Sequence, residues 1–254
     1  MNSKFSYSEY RKIIKKYKPL IKDFKEVKKK TKSFCIIRHD VEFSINRALS
    51  MAKIDNSLGI KSSFFFQVNS PCYNLLSYEN INKIHKIINM KHFIGLHFYI
   101  LKNEKKKIYI INQLKNQIKI MQTVLGIKID RISIHRPPKW ILKNPSKIFK
   151  NYINTYSNLY FEYLENYKDI KEIKYYADSN HRWNYGHPLE GSNFNKFQIL
   201  LHPDEWSASG SNEKNNLKKI ILEDKLNLIN NIKNEYKTFK NYLKKENGKK
   251  YSFF

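Results

Sequence analysis

The sequence predicts an α/β fold built on parallel strands, and three observations carry that expectation. Short apolar runs bounded by polar clusters recur along the chain, and most are followed by apolar residues at helical spacing. The C-terminal ends of those runs collect histidines, carboxylates and arginines. No Pro/Gly/Ser-rich linker and no internal repeat divides the 254 residues, which therefore read as one domain long enough to bury a core.

The elements follow in chain order. Residues 6–30 read as an amphipathic helix or helix pair, because Ile13, Ile14, Tyr17, Leu20, Ile21, Phe24 and Val27 recur at helical spacing among lysines. Pro19 divides it, and a cap across a barrel end suits it better than an interaction arm. Residues 33–38 (SFCIIR) form a short buried strand that runs into His39-Asp40. Ser44 offers an N-cap to a helix whose Ile45, Ala48, Leu49 and Ala52 share a face and which Gly59 closes. A second strand spans 60–68, and Ser77 caps a helix carrying Ile81, Ile84, Ile87 and Ile88. The third strand, 93–96, ends at His97. A lysine-rich helix covers 104–125 and stops at Gly126. The fourth strand, 131–134, ends at His135-Arg136 and is broken by Pro137-Pro138. Within the aromatic stretch 152–176 only 173–177 has strand character, ending at Asp178. Residues 197–201 make the last strand, ending at His202-Pro203, and 212–245 are helical and basic.

Composition excludes several classes. Hydrophobic residues at 41% and aromatics at 15% exclude a disordered chain. Mean hydropathy is −0.65, and no stretch reaches the roughly 18 apolar residues of a membrane span. The N-terminus lacks a secretory h-region, and two cysteines are too few for a disulfide framework, so the cytoplasm is the expected compartment. Lys and Arg outnumber Asp and Glu by 48 to 22, a net charge of +26. The excess is scattered lysine with little arginine, which reads as compositional bias, so no specific nucleic-acid partner is expected. Peripheral attraction to anionic surfaces and acidic substrates follows from the charge.

The chemistry collects at the strand ends. His39, His97, His135 and His202 each close a predicted strand, with Asp40, Glu42, Arg136 and Asp178 in equivalent places. In parallel α/β folds that rim is where ligands bind. Imidazole and carboxylate suit a divalent metal, Zn²⁺ first, with Fe, Co, Ni or Mn compatible. A neighbouring carboxylate can take a water's proton, a histidine can protonate a leaving group, and Arg136 can fix the base. His181 and His187 fall in a polar loop as solvated or substrate-facing groups. His85 and His92 read as surface residues, and Arg38 and His39 as packing or orienting groups. Trp140 and the tyrosines of 152–176 suit either sugar stacking or a core.

RHDVE (38–42), IGLHFY (94–99), IHRPP (134–138), DSNHRW (178–183) and ILLHP (199–203) resemble, in order, the five motifs of the polysaccharide deacetylases, the NodB-homology group or carbohydrate esterase family four. The likeness is nearer to the divergent WbmS-like branch and runs from about residue 33 to about 206. It implies a distorted (β/α)7 barrel over 33–206, with an N-terminal helical extension over 1–32. A basic C-terminal helical segment over 207–254 would pack on the same domain. It also implies a metal-dependent hydrolase that removes an acyl group, held as amide or ester, from an amino sugar. The implied context is surface-polysaccharide biosynthesis, with a sugar-containing small molecule or lipid-linked glycan precursor as substrate. Asp40 matches the catalytic base and Glu42 stands near the metal aspartate, one position shifted. His97 matches the first histidine ligand. Leu101 stands where the second belongs, and His135 is the candidate replacement. The metal set is then Asp40, Glu42, His97 and His135. Arg136 matches the base-tethering arginine, Asp178 and Trp183 resemble the fourth motif, and His202 matches the general acid. The rival expectation is a NodB-type barrel without catalysis that binds a glycan or protein partner.

Overall fold

Seven strands among the described residues form one parallel sheet: β1 Phe34–Val41, β2 Ser63–Phe66, β3 Phe93–Tyr99, β4 Arg131–His135, β5 Ile153–Asn154, β6 Ile173–Ala177 and β7 Lys196–Leu201. The order is β5-β4-β3-β2-β1-β7-β6, and the sheet curls into a half-barrel. Six α-helices are found among the described residues: α1 Tyr7–Tyr17, α2 Ile45–Ser57, α3 Tyr78–Asn89, α4 Lys107–Leu125, α5 Lys139–Lys143 and α6 Glu213–Glu235. The computed structural model describes residues 4–100, 106–145, 149–164 and 171–236. The chain divides into two compact units, Met1–Glu213 and Lys214–Phe254. The α/β expectation and the seven-stranded parallel architecture are what the structure has.

Strand alternation sorts β1 into two faces. Cys35, Ile37 and Val41 point outward, into an apolar layer with Ala48 and Met51 of α2 and Ile13 and Ile14 of α1. Phe34 and Ile36 point inward and pack with Phe24, Val27, Phe65, Tyr160 and Ile173. Arg38, Asp40 and Glu42 continue that inner row toward the C-terminal rim. The helix ends follow their expected chemistry. The Ser44 and Ser77 side chains accept hydrogen bonds from Arg47 N and Asn80 N, and Gly126 closes α4 in the left-handed region with φ 64°.

The structure corrects several expectations. The N-terminal α-helix ends at Tyr17, and a 3₁₀ turn with Pro19 in its first residues follows. Proline has no amide hydrogen to continue the ladder. Ile21 then pairs with Cys35 beside β1, and Phe24 and Val27 fill the inner face. The apolar positions after Pro19 share a destination without sharing a helix. Strand β2 is shorter than 60–68, β1 and β3 run further, and β5 was not expected.

His39 is on the outer face of β1, away from the rim. It is fully buried, stacked on Phe64 at 4.2 Å between centroids and 3.2 Å from Asp55 Oδ2. His92 is buried beside the same layer: its Nδ1 accepts from Ser62 N, and its Nε2 lies 2.9 Å from Ala52 O. A short run ending in histidine does not reveal which face the ring takes, and register does.

Candidate metal and catalytic site

Parallel register aligns the rim. Asp40 pairs with Phe65, Phe65 with Gly95, and His97 with Ser133, so alternate residues of four strands face one concavity. A cavity of about 530 Å³ opens there, lined by Asp40, Glu42, His97, His135, Arg136 and His202 among others. Tyr156, Phe161, Tyr175 and Tyr185 supply aromatic wall. Gly95 keeps the floor clear. A Cβ there would lie 2.5 Å from Phe65 Cε1 and 2.7 Å from Arg131 Cγ.

Three donors converge. His97 Nε2 is 3.0 Å from Glu42 Oε1 and 3.2 Å from His135 Nδ1, and His135 Nδ1 is 2.8 Å from Glu42 Oε1. Donors on one tetrahedral Zn²⁺ at 2.0–2.2 Å are about 3.4 Å apart, so the three need only spread by a few tenths of an ångström to admit an ion. The chemistry of the donors fits as well. Burial pushes the Glu42 pKa up, but its hydrogen bonds with His135 and His97 outweigh burial and hold it well below the usual carboxylate range. His97 Nδ1 is 2.7 Å from Ser133 Oγ and 3.3 Å from Asp40 Oδ2. A proton on Nδ1 donated to these oxygens turns the Nε2 lone pair toward Glu42 and His135.

Asp40 is not one of the converging donors. Its two oxygens accept from Arg38 Nε at 2.9 Å and Arg38 Nη2 at 2.6 Å. Arg38 is fully buried, with Tyr156 OH 3.1 Å from Nη2 and the Tyr156 ring 4.7 Å from its guanidinium carbon. The contact to Asp40 expected of Arg136 is therefore made by Arg38, two residues earlier on the same strand. Arg136 is exposed, adopts a left-handed φ of 47° just after β4, and lines the cavity. Burial raises the Asp40 pKa, but the Arg38 charge, with His97 next, more than compensates and leaves the carboxyl below its ordinary value.

On the other side of Glu42 stands a second pair. His202 Nδ1 is 2.7 Å from Asp178 Oδ1, and Asp178 also accepts from His202 N at 3.0 Å and from Trp206 Nε1 at 2.7 Å. His202 Nε2 points to within 3.8 Å of Glu42 Oε1. Burial alone lowers the imidazole pKa, yet the Asp178 charge and hydrogen bond, with Glu42 beyond, hold it well above the usual value. Asp178 thus favours the protonated form of the His202 imidazole.

Arg136, Asp178 and His202 thus lie about the same rim as Glu42, His97 and His135. Ser133 and Trp206, which sequence reasoning passed over, contact His97 and Asp178, while Tyr156, one of the tyrosines of 152–176, contacts Arg38. Only register reveals Ser133, while Trp206 lies four residues after His202. His181 is not solvated: its Nδ1 is 2.7 Å from Glu205 Oε2 and its Nε2 is 2.7 Å from Ser211 O. His187 is likewise engaged, its Nε2 2.8 Å from Glu9 Oε1. Trp183 packs against Phe5 and Trp206. Leu101 lies outside the described residues.

No protein-family model and no curated protein matches the sequence. Solved structures do resemble the chain. A CE4 family pseudoenzyme from Bacillus anthracis is 14% identical over 78% of this chain and 62% of its own, with a TM-score of 0.46. This chain thus spans less than two thirds of that protein. The chitin deacetylase of the fungal pathogen Colletotrichum lindemuthianum is 13% identical over 75% of this chain and 81% of its own, with a TM-score of 0.44. A peptidoglycan N-acetylglucosamine deacetylase is 17% identical over 79% and 85%, with a TM-score of 0.46. By strand order, parallel pairing and the curl of its sheet, the chain is a seven-stranded parallel half-barrel, consistent with the distorted (β/α)7 barrel expected of it.

Proposed function

We propose that the chain is a metal-dependent hydrolase that removes an acyl group from an amino sugar. The observation that carries this reading is the convergence of Glu42, His97 and His135, with Asp40 on one side and the Asp178–His202 pair on the other. A divalent ion held by those three residues supplies Lewis acidity toward the acyl carbonyl. Asp40, held in place by Arg38, takes the proton of the attacking water. His202, kept protonated by Asp178, gives its proton to the departing sugar nitrogen or oxygen. The tyrosines of the cavity wall offer faces for a sugar ring. Exposed Arg136 on the same cavity suits an anionic group, as in a nucleotide-linked or lipid-linked amino-sugar precursor.

One observation favours the rival, a barrel that binds a glycan without turning it over. Both Asp40 oxygens are engaged by Arg38, and a carboxylate held so far toward its ionised form is a weak base. Metal content measured after dialysis against Zn²⁺ or Co²⁺, together with acetate release from N-acetyl amino sugars, separates the two. One bound ion and turnover that Asp40→Asn abolishes support the hydrolase. One bound ion and glycan binding without turnover support the rival, and no bound ion overturns the metal assignment.

A further inference from the structure

The start of the chain lies outside the stretch 33–206 that carries the motifs, yet it is built against the back of the Asp178–His202 pair. Ser6 and Ser207 form a parallel bridge, in which Tyr7 N donates to Ser207 O at 2.9 Å and Ser207 N to Phe5 O at 3.1 Å. Ser211 N donates to Lys4 O at 3.3 Å. This pairing sets the Phe5 ring among three others, with centroids 4.0 Å away at His181, 5.3 Å at Trp206 and 6.1 Å at Trp183. Tyr10, in the first turn of α1, makes a second contact to Trp206 at 5.6 Å. Phe5, Tyr10 and Trp206 are all buried.

Two features set this contact apart from ordinary packing. Phe5 has a φ of 59°, a left-handed value that a bulky side chain reaches only at an energetic cost. It is held there by the pairing with Ser207 and by its own N–H, which donates to Glu9 Oε2 at 2.6 Å. The second feature is where the contact leads. The Trp206 indole directs its Nε1–H to Asp178 Oδ2 at 2.7 Å, and Asp178 Oδ1 lies 2.7 Å from His202 Nδ1. An indole has a single donor, so the placement of the ring decides whether that bond forms. Phe5 meets the ring at 70° and Tyr10 at 56°, and between them they fix that placement.

We infer that the N-terminal segment, through Phe5 and Tyr10, positions the Asp178–His202 pair by fixing the Trp206 indole. The positioning stands without turnover, whereas its catalytic consequence rests on the hydrolase reading, in which His202 protonates the leaving group. Phe5 is a positioning residue, since it acts on the pair through Trp206.

Full-length protein with added Zn²⁺ is followed by proton–nitrogen correlation spectra, in which the Trp206 indole signal is assigned by its loss in Trp206→Phe. That signal should lie downfield, as suits a donor to a carboxylate. Phe5→Ala should move it upfield while far-UV circular dichroism stays unchanged. Turnover is read on an N-acetyl amino sugar, whose amine must be protonated to leave, and on para-nitrophenyl acetate, whose phenolate leaves unaided. Phe5→Ala should lower kcat at least about tenfold on the first and less than about twofold on the second. Trp206→Phe, which removes the donor and keeps an aromatic ring, should reproduce that selective loss. Phe5→Leu, which retains apolar bulk should the alanine variant unfold, should show the same changes at smaller size. An unmoved indole signal in the folded variants overturns the proposal. Equal slowing on both substrates, the mark of a general loss of structure, overturns it too. Wild-type protein that releases acetate from neither substrate would refute the hydrolase reading instead, and the indole signal alone would then decide the positioning.

Discussion

Arg38 and Asp40, two residues apart on β1, meet through two hydrogen bonds of 2.9 and 2.6 Å with both side chains buried. Strand alternation puts residues i and i+2 on one face, so the pair needs no loop to assemble it. Tyr156 and Gln198 complete the guanidinium's surroundings from two other parts of the chain.

Arg38→Met should therefore destabilise the protein by about 3–5 kcal/mol, since it leaves a buried carboxylate without its partner. Adding Asp40→Asn should restore part of that loss. Urea melts of the two single variants and the double variant measure the coupling. Additive effects would show that the pair is not the unit described here.

Ser133→Ala should lower affinity for Zn²⁺ about 10–100-fold, because Ser133 Oγ is 2.7 Å from His97 Nδ1 and holds that ring's orientation. His135→Ala should lose more, as it removes a donor outright. Competition titration with a chromophoric chelator reads both, and a Ser133→Ala protein with unchanged affinity would remove its orienting role.

Gly95→Ala should cost about 1–3 kcal/mol, because its methyl would press on Phe65 and on the Arg131 side chain, both buried. Phe65→Leu in the same chain should relieve part of the clash while opening space of its own. Thermal melts of the single and double variants test this.

Acid sensitivity should pass partly through His92. Burial pushes its pKa below the ordinary histidine value, with the nearby Asp55 charge opposing. A group depressed in the folded state contributes stability above its unfolded pKa and loses it as pH falls through that value toward the folded one. Protonation also puts a hydrogen on Nδ1, the atom that accepts from Ser62 N. Unfolding free energy should fall between about pH 7 and pH 5, and less steeply in His92→Gln. Parallel slopes in the two proteins would place the acid sensitivity elsewhere.

The local chemistry of the chain was enough to establish the alternation of strands and helices, the Ser44, Ser77 and Gly126 helix ends, and the gathering of polar residues where strands stop. These depend on neighbours within a few residues: period-two or helical spacing, a capping hydroxyl, a glycine that accepts positive φ. That Glu42, His97 and His135 face one point also followed from strand ends, once the strands were parallel. Which face each ring takes did not. His39 and His97 both sit near the end of an apolar run, yet one stacks on Phe64 in the outer layer and the other reaches Glu42. A shift of one residue along a strand inverts the side chain, and only pairing with neighbouring strands sets that register. The exchange of Arg136 for Arg38 as the partner of Asp40 has the same origin. A guanidinium two residues away is close in sequence whatever the fold, but it becomes a tether only when Tyr156 and Gln198, more than a hundred residues distant, close around it. The path of Phe24 and Val27 into the barrel was decided likewise by tertiary structure. After Pro19 the chain has no helix to hold them, and the inner face of β1 and β2 is the apolar surface within reach.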